Sequence, residues 1–382
     1  MAINSIAHFS ANFLPNFVVT ASYKNQNTSM GTAWVHNMSP FVIQFSETFG
    51  IRWYGLAYLT GFFIAYYLTD LMAKRGTTQL TREQVADFIT YAAIGTLAGG
   101  RLGYALFYAP ELFTTFHAGA PWWGLLEVNK GGMASHGGMA GLIIGCILYA
   151  RKHKVRATHL VDICVFGGGL GVFFGRIANF INGELYGREC AADLWLAVKF
   201  PSEIYTWGPG EIDKLRGMGN AVEVVGAGSR DQWATWLNSF SIEAQRGIDV
   251  AKETIVLATQ KHNHAVIEAL RPILTPRYPS QLIQSLLEGL IVVLVLAWLW
   301  RKPRKPGFIS ASFGIMYSIA RIIGEQFRLP DHDIGYQALG LTRGQWLSVG
   351  MLVGSILYFI WVSRQKTEPT GGWDKSVANK TA

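Results

Sequence analysis

Runs of apolar residues close to the roughly 20 needed to cross a bilayer recur along the chain, and short basic loops separate them. Seven such segments are predicted, at about Trp53–Leu71, Val85–Tyr108, Gly137–Ala150, His159–Ile181, Gln281–Trp300, Ile309–Phe327 and Gln345–Val362. The third is short and glycine-rich at one end, so other protein must pack around its backbone. The fold class that follows is an all-α polytopic membrane protein with seven transmembrane helices. Lys74, Arg75 and Arg82, then Arg151, Lys152, Lys154 and Arg156, then Arg301, Lys302, Arg304 and Lys305, then Arg364 and Lys366 fall in every alternate loop. By the positive-inside rule those loops are cytoplasmic, which puts the N-terminus outside and the C-terminus inside.

The longest connection, residues 185–279, then lies between helices four and five on the periplasmic side. It reads as a cap, with amphipathic helices expected from about Asp231 and about Val250. The expected domains are a poorly ordered extension over 1–37, helices one to four over 38–184, the cap over 185–279, helices five to seven over 280–366, and a flexible cytoplasmic tail over 367–382. The first apolar stretch holds Pro15 and Asn16 and has no basic cluster before it, so it does not read as a secretory signal. The structured part is expected to begin at Met38, which could itself be a start.

A net charge of +8 raises the question of nucleic acid. The basic residues are dispersed between apolar segments rather than gathered on one face, so no nucleic-acid partner is expected. Cys146 and Cys164 fall inside apolar segments and Cys190 stands alone, a pattern that gives no disulfide framework. No acidic cluster or paired-histidine spacing points to a metal, and no cofactor is expected.

Ionised side chains deep in a bilayer cost about 2.5–3.5 kcal/mol even on lenient scales, so those this chain keeps are functional candidates. Arg101 lies in Gly99-Gly100-Arg101-Leu102-Gly103-Tyr104, where it either pairs with a carboxylate or meets substrate. His136 lies between Gly132 and Gly138. It is the candidate base, against the alternative of a hydrogen-bonded core histidine. The run from Gly175 to Arg188 brings Arg176, Asn179, Asn182, Glu184 and Arg188 together, as a salt-bridge knot or as a site. Arginine suits a phosphate because its planar fork donates two parallel hydrogen bonds. Tyr317, Arg321 and Glu325 recur every four residues as one polar stripe, continued by Arg328; the stripe either faces a cavity or neutralises itself. A cationic site near the outer leaflet, built from several helices, has an anionic phospholipid head group as its natural ligand.

At these residues the chain resembles the prolipoprotein diacylglyceryl transferase family. The resemblance runs from about Ile51 to Val362. It rests on Ile51-Arg52-Trp53-Tyr54-Gly55, Gly100 to Tyr104, Gly132 to Gly138, Gly175 to Arg188, Arg277-Tyr278-Pro279-Ser280-Gln281-Leu282, and Tyr317 to Asp331. It implies a seven-helix bacterial inner-membrane enzyme that takes phosphatidylglycerol as donor and the lipobox cysteine of a prolipoprotein signal peptide as acceptor. A thioether and glycerol phosphate would be the products. The match implies that Arg176 contacts the lipid, and it places Tyr54, His136, Asn179, Glu184, Tyr317, Arg321 and Glu325 at important positions. His136, Arg176 and Arg321 are thus the catalytic candidates; Tyr54, Arg101, Asn179, Asn182, Glu184, Arg188, Tyr317, Glu325 and Arg328 are the substrate-binding ones. The chain departs from the family at Tyr278, where a histidine is common, at Ile283-Gln284, where Tyr-Glu is common, and at Ser135, often aromatic; its cap is also longer. The competing readings are a lipid transporter or flippase using the same arginines, a transferase with another acceptor, and an inactive homologue.

Overall fold

Each predicted apolar segment folds into a helix, and local chemistry sets where several of them begin. In the computed structural model, residues 33–46, 50–128, 131–330 and 335–373 are described. The helices are Trp53–Lys74, Arg82–Phe107, Ser135–His153, Ala157–Ile181, Ser280–Leu299, Phe308–Gly324 and Arg343–Arg364. Thr81 with Gln84, and Thr342 with Gln345, form capping boxes that pair the free N–H groups at the start of two of them. Asp162 has almost no exposed surface, yet its carboxylate accepts from Gly307 N, Ser310 N and Ser310 Oγ, each at 2.7 Å. A buried acid is stable there because the N-terminus of Phe308–Gly324 supplies its hydrogen bonds and a favourable dipole.

Four of these helices are long and apolar enough to cross a membrane: Trp53–Lys74, Ala157–Ile181, Ser280–Leu299 and Arg343–Arg364. Phe308–Gly324 is apolar but shorter, at 17 residues. The glycines of the short third segment explain its survival. A Cβ on Gly99 would come 2.4 Å from Gly137 O, and one on Gly141 would come 2.0 Å from Gly95 O. Backbones in such contact leave no room for a side chain, so Arg82–Phe107 and Ser135–His153 pack as a single glycine-lined pair. Ser280–Leu299 carries a π-helical stretch over Ser285–Ile291. π-turns of this kind concentrate at functional sites, and this one contains Glu288.

Between the fourth and fifth long helices, residues 185–279 build their own core around Ile204, Trp207, Met218, Trp233, Ile255 and Leu270. One expected helix is Arg230–Leu237; the other is Ile242–Gln260, so it starts eight residues before Val250, at a Ser241 that caps it. The onset was misjudged because Ser241 accepts from Ala244 N, a cap that lies outside the apolar periodicity. A three-stranded sheet ties this segment to the chain on either side. Val198–Lys199 pairs parallel with Trp34–Val35 and antiparallel with Pro276–Arg277. The expected boundary at residue 37 therefore falls inside ordered chain, before Met38; residues 1–32 lie outside the described residues. His36 extends the strand through its N–H to Lys199 O at 2.8 Å, and burial pushes its imidazole down to about 4, so it is neutral near pH 7.

The expected flexible tail is also partly ordered. Thr370 and Arg304 exchange backbone hydrogen bonds at 2.8 and 3.0 Å, and Trp373 Nε1 donates to Ala297 O at 2.9 Å. Trp300 and Phe166 flank the Trp373 ring. A tail with little apolar content docks because one tryptophan packs, partly buried, against Phe166 and Trp300. Residues 374–382 lie outside the described residues.

Candidate active site

Glu288 is the centre of the site and has no exposed surface. Its Oε2 accepts from Arg176 Nη2 at 3.1 Å and its Oε1 from Arg321 Nη1 at 3.2 Å. Arg321 also holds Glu325 Oε2 through Nη2 at 3.0 Å. Four alternating charges thus meet from three helices. Arg176 is near the end of Ala157–Ile181, Glu288 sits on the π-turn, and Arg321 and Glu325 follow each other on one face of Phe308–Gly324 and its cap. Tyr317, one turn before Arg321, stands against Arg176, Arg321 and Glu288 and stacks on Phe313. Thr342 Oγ1 donates to Glu325 Oε1 at 3.1 Å, fixing the fourth charge.

A second cluster forms where Ala157–Ile181 ends. Tyr54 donates its hydroxyl to Glu184 Oε1, and Asn179 Nδ2 donates both to the Tyr54 hydroxyl and, at 2.8 Å, to Glu184 Oε1. Gln281 Nε2 donates to Glu184 O at 2.6 Å and Ser280 Oγ to Leu185 O at 2.9 Å, so the start of Ser280–Leu299 grips the turn carrying Glu184. Asn182 caps the helix, with its side-chain Oδ1 buried and unpartnered among the described residues.

No side-chain hydrogen bond or ion pair among the described residues joins the remaining candidates to the carboxylate pairs. Arg101 is buried and pairs with no carboxylate among the described residues. All five N–H groups of its guanidinium go to carbonyls: Nε to Leu125 O at 2.8 Å, Nη1 to Gly131 O at 2.7 Å and Gly132 O at 3.0 Å, Nη2 to Gly124 O at 2.7 Å and Glu127 O at 3.4 Å. In this conformation no donor is left for a lipid. Gly131 and Gly132 take φ of 84° and 79°, and a Cβ on Gly132 would meet Arg101 Nη1 at 2.8 Å, so the glycines exist to let the loop close over the guanidinium. Replacing Arg101 by Lys removes the fork and strands several carbonyls. Arg101→Lys is expected to lose about 3 kcal/mol of stability, with the first proteolytic cut falling in residues 124–132; a native melting point with an uncut loop would contradict this.

Arg188 Nε donates to Arg328 O at 3.0 Å, and its guanidinium lies over the Tyr336 ring. Together with the Gly187–Arg328 bridge this knits the loop after the Glu184 turn to the loop after Phe308–Gly324. Arg188 thus acts in this conformation as a connector, and Arg328 contributes its backbone to that link. His136 is exposed at the second position of Ser135–His153, and none of the hydrogen bonds or ion pairs of the described residues joins it to Glu288. Glu184 holds Tyr54 and Asn179, while Glu288 and Glu325 hold the guanidinium groups.

Glu288 itself escaped the sequence reading. It is the single acidic residue in an otherwise apolar run, Leu286 to Leu299, and the rule that flagged the arginines applies equally to it.

The model of a family described as prolipoprotein diacylglyceryl transferase matches residues 40–361. The chain belongs to that family. It is 51% identical over 344 residues to the phosphatidylglycerol–prolipoprotein diacylglyceryl transferase of Bdellovibrio bacteriovorus, a match covering 89% of this chain and 97% of that protein. The correspondingly named protein of Rhodospirillum centenum is 35% identical over 82% of this chain and 86% of its own length. That of Neisseria gonorrhoeae is 33% identical over 85% of this chain and 96% of its own length. The family match spans both charged clusters, residues 185–279 and the long helices as far as residue 361.

Proposed function

We propose that the chain transfers the diacylglyceryl group of phosphatidylglycerol to the cysteine thiol of a prolipoprotein lipobox. The observation that carries this reading is the convergence of Arg176 and Arg321 on one water-shielded carboxylate. Two guanidinium groups already arranged around two oxygens are arranged equally for a phosphate. The thiolate sulfur attacks the glyceryl carbon bonded to the phosphate oxygen. A C–S bond forms as the C–O bond breaks, and its electron pair leaves with glycerol phosphate. Charge grows on that oxygen in the transition state, where fixed cations lower the barrier most. The thiol proton must leave first, because the thiolate is the nucleophile, and His136 is assigned as the base that takes it.

The seven helices are read as seven spans, with residues 185–279 as a periplasmic cap. Arg82–Phe107 and Ser135–His153 join the four apolar helices and Phe308–Gly324 because their polar and glycine content is spent on each other and on the Arg101 loop. Tyr54, Arg176, Glu288 and Arg321 all lie toward the helix ends opposite the basic loops. This supports a site at the outer leaflet of the bacterial inner membrane, an N-terminus outside and a C-terminus inside. Arg188, Arg328 and Asn182 are assigned to shaping the mouth of that site.

The test is incubation of the purified protein with phosphatidylglycerol and a lipobox peptide. Mass spectrometry should show the thioether and an equal amount of glycerol phosphate. Lipid movement across liposomes with no thioether would instead mark a flippase. His136→Asn should slow transfer by about 100-fold or more at neutral pH and recover partly at alkaline pH, where the peptide thiol ionises unaided. A near-native rate at neutral pH would remove His136 as an obligatory base.

A further inference from the structure

Gln284 has no exposed surface, yet neither its Oε1 nor its Nε2 has a hydrogen-bond partner among the described residues. An amide with both halves unpaired, out of reach of water, is costly enough that natural structures rarely keep one without a use for it. Its position says what the use is. Gln284 precedes Glu288 by one helical turn on the same face. Gln284 Cγ and Glu288 Oε1 each lie 3.1 Å from the point that a Cβ on Gly324 would occupy. Three residues earlier, Gln281 gives its Nε2 to Glu184 O, while its own Oε1 is buried and unpartnered. The wall between the two charged clusters therefore presents one unused donor group and two unused acceptors.

Their chemistry selects a ligand. A phosphate oxygen only accepts, and would leave Gln284 Oε1 unpaired; an ammonium only donates, and would leave Nε2 unpaired. A hydroxyl does both. We propose that Gln284 is a specificity-determining residue that hydrogen-bonds a hydroxyl of the glycerol head group of the donor lipid while the arginines hold its phosphate. The proposal rests on the transfer reaction stated above. The second hydroxyl of the same head group donates to Gln281 Oε1. Gln284 thus distinguishes a glycerol head group from one of equal charge that lacks hydroxyls.

Phosphatidylglycerol and phosphatidylpropanol, which shares the phosphodiester but has no free hydroxyl, are compared as donors in mixed micelles with a lipobox peptide. The wild-type chain should favour phosphatidylglycerol by at least about tenfold in kcat/KM. Gln284→Met, which keeps the length and removes both polar atoms, should bring that preference close to unity by slowing phosphatidylglycerol alone. A preference that survives in Gln284→Met overturns the proposal, as does equal use of the two lipids by the wild type. Should Gln284→Met fail to fold, Gln284→Leu serves in its place. Failure of the parent reading looks different: the wild type then gives no thioether from either lipid.

Discussion

Arg176→Ala is expected to leave a folded protein whose transfer rate falls about 100- to 1000-fold, as when one preorganised donor to a developing negative charge is removed. The fold should survive because Glu288 keeps its other partner, Arg321, at 3.2 Å. No buried carboxylate is then stranded. The rate should not survive, because Arg176, unlike Arg321, is paired with a single carboxylate among the described residues and so is the more easily diverted to a phosphate. Arg321 divides itself between Glu288 and Glu325 and is the anchor of the pair. The check is a melting curve in detergent beside a thioether assay: a native melting point with a collapsed rate is the expected combination.

Glu288→Leu is expected to do the opposite, harming the fold first. It leaves Arg176 and Arg321 facing each other with their side chains only 15% and 12% exposed. Breaking a buried pair from one side typically costs about 3–5 kcal/mol, since the surviving charge stays buried without compensation. Here two cations survive, although Glu325 still compensates Arg321. Glu288→Gln should be milder, because an amide oxygen still accepts from one guanidinium. Restoring balance by combining Glu288→Leu with Arg176→Leu should recover much of the lost melting temperature, without activity. A Glu288→Leu protein as stable as the wild type would show that the carboxylate is not what holds the two arginines together.

The positions of the long helices could be read from apolar run length, and the polar run holding Arg176, Asn179 and Glu184 and the Tyr317–Arg321–Glu325 stripe from charges that a bilayer penalises, whereas Tyr54 was implied only by the family resemblance. What could not be read depends on contacts distant in sequence. Arg101 looked like a residue waiting for an anion because its partners are backbone carbonyls 23 to 31 residues further on, which no side-chain pattern betrays. The Trp34–Val35 strand is too short to show alternation and exists only by pairing with Val198–Lys199. Trp373 looked like part of a polar tail because a single aromatic residue sets no periodicity. Glu288 is legible by the same penalty as the arginines, being the one acid of an apolar helix. Gln284 could not have been singled out at all, for an unpaired amide is a property of its surroundings.

In the proposed reaction the two guanidinium groups around Glu288 hold the departing glycerol phosphate. Product inhibition measures that directly. Glycerol phosphate is titrated against transfer from phosphatidylglycerol in the wild type and in Arg176→Lys, which keeps the charge but not the fork. The account predicts competition with phosphatidylglycerol in the wild type and an inhibition constant at least about tenfold weaker in Arg176→Lys. The same inhibition constant in both proteins would contradict it.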